Sequence, residues 1–181
     1  MKRRDTADAL LKAAEAEFNA RGFNGTDTNR IARRAGFAPQ TFYRHFTDKT
    51  AIFLAVYERW WRSESAAIAA ILEARGGLSR VADTLIAFHV KWRGFRRSLR
   101  HLAVEDERVR AARRVARKAQ IASARRLLPK ARRGDAEILA ALLVLERLCD
   151  AIAEDEFEGL GIGAAAARRT VIAALEKLEA R

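Results

Sequence analysis

Apolar residues recur three and four positions apart along nearly the whole chain, and almost nowhere do they alternate. The first stripe, Leu10, Ala14 and Phe18, predicts a helix from about Thr6 to Ala20 that ends at Arg21-Gly22. Ile31, Ala32 and Ala35 make a second, shorter stripe, entered through Thr26 or Asp27 as N-cap and stopped by Gly36. Pro39 then occupies the first position of a third helix, where its missing N–H costs nothing, and Phe42 and Phe46 repeat four apart. Two short helices joined by a three- to four-residue turn around a glycine form a helix-turn-helix, whose second member enters the DNA major groove. Phe23, Ile31, Phe37, Phe42 and Phe46 are the expected core of a three-helix head over residues 1–48.

The remainder, 49–181, reads as a helical body, which makes the chain all-α with about nine helices. A long helix capped by Thr47 or Asp48 runs from Lys49 to about Arg75. It carries two adjacent stripes, Ile52/Val56/Trp60/Ala67/Ile71 and Phe53/Tyr57/Trp61/Ile68/Leu72, so it can join head to body. After Gly76-Gly77 a helix starts near Ser79 with Val81, Leu85, Phe88 and Trp92 on one face, and the next, past Gly94, uses Phe95, Leu99 and Leu102. Glu105-Asp106 is the acidic start of a helix through Val109 and Ala116 to Leu127, with Pro129 marking its end. The segment Ile138 to Leu145 is apolar without a break and Leu148, Cys149 and Ile152 extend it, so that helix needs cover on both sides. One cover is the body itself and the other is a second copy. With the final helix, about Ala164 to Ala180, it would form a four-helix bundle across a two-fold axis through Leu142, Leu145, Cys149, Val171, Leu175 and Leu178.

Composition narrows the class further. At 181 residues and 50% hydrophobic content the chain can bury a core, and its few β-branched residues favour helix. Charge-free runs such as 159–167 reach nine residues, far below the roughly 20 that cross a bilayer, and the N-terminal stretch lacks the apolar region of a signal peptide. A single cysteine excludes an intrachain disulfide and fits a reducing cytoplasm. The net charge of +12 suits a nucleic-acid partner, yet residues 1–50 hold only a net +4. Residues 91–133 carry 16 Lys and Arg against three acids, which reads first as a solvated face and otherwise as an anion site or a supplementary DNA surface.

The stretch from Leu10 to Val56 resembles the DNA-binding domain of the tetracycline-repressor (TetR) family. The matching residues are Ala13, Ala14, Phe18, Gly22, Phe23, Thr26, Ile31, Ala32, Gly36, Thr41-Phe42-Tyr43, His45-Phe46 and Lys49. Glu17, at an often apolar position, departs from the pattern, as do Ala38 and Pro39-Gln40. The resemblance implies phosphate contacts from Tyr43 and Lys49. It also implies a dimer through the last two helices and regulation of transcription. The outward side chains supply the rest of an expected interface: Thr26 and Thr28 at the backbone, Gln40, Thr41 and Arg44 at base edges, with Pro39 and His45 alongside.

Other chemistries find less support. Gly159 to Ala164 satisfies a Gly-x-Gly-x-x-Ala pattern but follows the run EDEFE, so a helix connection is expected there and not a dinucleotide site. His89 and His101 lack partners at metal-ligand spacing, Cys149 reads as a small buried hydrophobe, and no nucleophile-base pair stands out, so neither an enzyme nor a cofactor is expected. Trp60, Trp61, Phe88, His89, Trp92 and Phe95 are candidates to line a pocket for an apolar or aromatic effector. The expected function is a ligand-responsive dimeric repressor of a palindromic operator in double-stranded DNA, with no membrane partner. The alternative is a dimeric DNA-binding protein with no small-molecule site.

Overall fold

The computed structural model describes residues 3–128 and 133–180, and among them every regular element is helical. In order these are α1 (Arg3–Arg21), α2 (Thr28–Arg34), α3 (Pro39–Tyr43), α4 (Lys49–Glu73), α5 (Leu78–Lys91), α6 (Arg93–Glu105), α7 (Glu107–Leu127), α8 (Asp135–Ala153) and α9 (Ala164–Glu179). The expected ends agree within a few residues, because most carry their own chemistry. Asp27 caps α2 and Asp48 caps α4, each carboxylate accepting a backbone N–H three residues on, and Asp106 does the same for α7 at two and three residues. Pro129 lies outside the described residues. No described helix is long and apolar enough to cross a membrane.

The chain forms two compact units, and they do not divide at residue 48. The first joins residues 1–61 to 94–112, so it contains the head together with the first half of α4, nearly all of α6 and the start of α7 as far as Ala112. Aromatic packing explains the grouping. Phe53 of α4 stacks on Phe95 of α6 at 4.6 Å and meets Phe18 and Phe23 edge-on at 5.1 and 5.3 Å. Polar contacts fix the same seam. Asn19 Oδ1 accepts the N–H groups of Gly94 and Phe95, and Ser98 Oγ accepts that of Phe23. A Cβ on Gly94 would collide with the Asn19 backbone carbonyl, so only glycine permits α6 to approach α1 this closely.

The second unit, 62–93 with 113–181, is built on α5, α8 and α9. Its core holds Val81, Ala82, Leu85, Leu145, Cys149, Val171, Leu175 and Leu178. Here the expectation for the subunit interface needs correction. Leu145, Cys149, Val171, Leu175 and Leu178 are buried by their own chain, leaving Leu142 half-buried and Leu143 and Val144 facing outward at 47% and 51% exposure. On a helix apolar nearly all round, periodicity cannot say which side its own body covers.

Ion pairs account for much of the basic stretch. Arg113 and Arg117 both engage Glu146 on α8, Arg125 pairs with Asp135 and Arg110 with Glu107. Within the first unit Arg108 grips Asp48 through both oxygens at 3.0 and 3.3 Å. That guanidinium holds the Asp48 carboxyl below its ordinary pKa, and the carboxylate raises that of Arg108. Five arginines of the stretch are therefore tied to carboxylates of the chain itself, and three of them, Arg108, Arg110 and Arg125, stay solvated as they pair.

Candidate nucleic-acid interface

The turn of the helix-turn-helix is closed by backbone geometry. Gly36 adopts φ +81°, its N–H bonds the Arg33 carbonyl, and the Phe37 N–H reaches back to Ala32 at 2.9 Å. This is a Schellman ending, which requires a left-handed residue just past the helix and so favours glycine there. Pro39 opens α3 after Ala38, which supplies no side-chain cap. Phe42 is the buried side of this single turn and half-buried Phe46 packs on it at 5.7 Å.

With Phe42 inward, Pro39, Gln40, Tyr43 and Arg44 are exposed and Thr41 and His45 are half-buried at its edges. Tyr43, 57% exposed, lays its ring edge-on to Phe42 and shares a 2.9 Å hydrogen bond between its hydroxyl and that of Thr28. Two hydroxyls from successive helices thus meet at the surface, beside the first N–H groups of α2. Such a pair can donate to phosphate oxygens without carrying charge. Arg30 and Arg33 stand exposed on the same short helix.

Two expected contacts have other work. Thr26 is buried, and its hydroxyl donates to Glu17 Oε2 at 3.1 Å, so it belongs to the interior and not to a DNA-facing surface. Lys49 donates from Nζ to the carbonyls of Phe23 (2.8 Å) and Thr26 (3.0 Å) and lies 4.2 Å above the Phe23 ring. Burial lowers its pKa. Two of the three donors of its ammonium group thus clamp the segment that enters α2.

Glu17 was visible only as an oddity, a carboxylate on the buried edge of an amphipathic helix. It is 4% exposed and gathers Thr26, Arg34 at 3.0 Å and Arg21 at 3.5 Å. The segment 23–28 is thus held by Glu17 from α1 and by Lys49 from α4, and Thr28 is presented at its end.

The proposed effector residues are distributed between the two units. Trp60 and Phe95 are core of the first: Trp60 stacks on Tyr57 and carries the buried Arg96 guanidinium 4.7 Å above its ring, while Phe95 is fully buried against Phe53. Neither offers a free face, so both leave the pocket set. His89 lies in the second unit, buried between Asp150 (Nδ1 to Oδ1, 2.8 Å) and Glu64 (Nε2 to Oε1, 3.6 Å), both also buried. It is a satisfied core histidine. Trp61, Phe88 and Trp92 remain half-buried. His101 pairs with Glu105 on its own helix, and no group of three metal-ligating side chains occurs among the described residues.

These features define an all-α protein with a helix-turn-helix head. Residues 10–56 match the family described as bacterial regulatory proteins, tetR family. Among curated proteins it is similar to the uncharacterized HTH-type transcriptional regulator YdgC of Bacillus subtilis (strain 168), 48% identical over 44 residues. That match covers 24% of this chain and 23% of the relative, about a quarter of its length. Two solved structures share the fold along almost the full chain. A putative TetR-family regulator from Mesorhizobium loti MAFF303099 has a TM-score of 0.71 at 23% identity, covering 98% of this chain and 96% of that one. A second, from Rhodococcus sp., has a TM-score of 0.74 at 21% identity, covering 98% and 100%.

Proposed function

We propose that the protein is a dimeric transcriptional repressor that places α3 in the major groove of a palindromic operator, with Gln40, Thr41 and Arg44 nearest the base edges. The observation that carries this reading is the exposed Thr28–Tyr43 hydroxyl pair beside α3, where both groups can reach one stretch of phosphate backbone. Tyr43→Phe should weaken binding by about tenfold or more, since hydrogen bonds to charged groups contribute about 1.5–3 kcal/mol. The loss should be equal on all duplexes. Because a hydroxyl carries no charge, the salt dependence should stay as it is. Anisotropy titrations at several salt concentrations check this, and a change in sequence preference would reassign Tyr43 to base readout.

Release by a small apolar or aromatic effector is the second part of the proposal. Its support is the half-buried pair Phe88 and Trp92, four residues apart at the end of α5. Binding that favours a DNA-incompetent state must weaken operator binding by the factor with which operator weakens ligand binding, typically about 5- to 150-fold. Tryptophan fluorescence during titration with candidate aromatic ligands, with and without operator, measures that factor. Equal ligand affinity in both states would show that the site is not coupled to the heads.

A further inference from the structure

A buried carboxylate, Glu17, engages one of the three arginines on α2 and leaves the other two to the surface. On α2, Arg30, Arg33 and Arg34 lie three and four residues apart on one exposed side. They are not equivalent. Arg33 reaches only the Asn29 carbonyl of its own helix, whereas Arg34 donates from Nη1 to the buried Glu17 carboxylate at 3.0 Å while remaining 51% exposed. The other Glu17 oxygen takes the Thr26 hydroxyl, with Arg21 Nε at 3.5 Å. Glu17 cannot swing out to solvent without abandoning Thr26, so it is a fixed anion inside a surface that must attract a polyanion.

An anion in that place has a cost and a use. It lowers the attraction of the head for any phosphate backbone, which is the part of binding that carries no sequence information. We infer that Glu17 is a specificity-determining residue: by pairing with Arg34 it keeps that guanidinium off the phosphates and suppresses binding to non-operator DNA. This rests on the DNA-binding reading above. Glutamine at position 17 keeps polar atoms that can meet both Thr26 and Arg34 but removes the charge, and the loosened Arg34 then becomes free to engage a phosphate.

The experiment measures binding to a random-sequence duplex against salt for the wild type, Glu17→Gln, Arg34→Met and the double variant. Circular dichroism melting confirms that each is folded. The wild type should bind with a defined slope, and failure there would remove the DNA-binding reading itself. Glu17→Gln should bind more tightly at low salt, with a slope steeper by about 0.9 for each phosphate newly engaged. The double variant should return to the wild-type slope, which assigns the gain to Arg34 by a closed cycle. Arg34→Met alone should leave the slope unaltered, and this arm stands even if Glu17→Gln does not fold, because Arg34 lies at the surface. An unchanged slope in Glu17→Gln, a steepening that persists in the double variant, or a shallower slope in Arg34→Met would each overturn the inference.

Discussion

Val144→Arg is expected to convert the protein to a monomer that no longer holds an operator. Val144 and Leu143 are the large apolar residues on the outer side of α8, with Ala136 and Ala140 continuing the exposed strip, while Leu145 and Cys149 turn inward to the core. Leu160 and Ile162, at 79% and 40% exposure, add apolar surface in the connection to α9. A contiguous apolar strip on the element whose other side is already covered suits a two-fold interface, in which the same patch meets itself. Arginine at position 144 would then place two like charges across the axis. One head spans only a few base pairs, and joining two raises affinity by about 10²- to 10⁴-fold through effective concentration alone, so that factor should be lost. Sedimentation together with anisotropy on operator DNA checks both parts, and the far-UV circular dichroism spectrum should stay helical because Val144, 51% exposed, touches little of its own chain. A wild type that sediments as a monomer at micromolar concentration would refute the interface.

Lys49→Ala is expected to damage the head without changing what it reads. Removing Nζ leaves the carbonyls of Phe23 and Thr26 without their cationic donor, and bonds to charged donors contribute about 1.5–3 kcal/mol each. For a chain near this size each kcal/mol lowers Tm by about 2–4 °C, so a fall of several degrees is expected. The segment 23–28 would loosen, Thr28 would lose its fixed place beside Tyr43, and affinity would drop for all duplexes with sequence preference intact. The salt slope separates this from a direct phosphate contact. It should stay constant, whereas a fall of about 0.9 with an unchanged melting temperature would return Lys49 to the phosphates.

What the sequence disclosed was mostly local. Gly36 past the end of α2, Pro39 at the start of α3 and Asp27 and Asp48 as caps are decided by neighbours within four residues, and the helices lie where those signals put them. The match of residues 10–56 to the tetR family likewise follows from residues visible in order along the chain. Choices made by distant partners were not legible. Lys49 looks like a surface cation until the carbonyls of Phe23 and Thr26, 26 and 23 residues away, are seen to accept its hydrogen bonds. Asn19 and Ser98 give no periodic signal, yet they bind α6 to α1 across about 75 residues and draw it into the same compact unit as the head. Helix α8 shows the complementary limit: its pattern reveals that two sides are apolar, and only the packing of Leu145 and Cys149 against Val81 and Val171 tells inner from outer.

The central claim, that two heads read a symmetric operator, is tested most directly by selecting binders from a pool of random-sequence duplexes with the wild-type protein. Two inverted half-sites should be enriched, their centres separated by roughly 34 Å or somewhat more along the duplex. The same selection with Gln40→Ala should relax one or two positions in each half and leave the spacing unchanged, because exposed Gln40 on α3 is assigned to base edges and not to the interface. Enrichment of a single unpaired half-site, or of no sequence at all, would contradict a dimeric helix-turn-helix regulator.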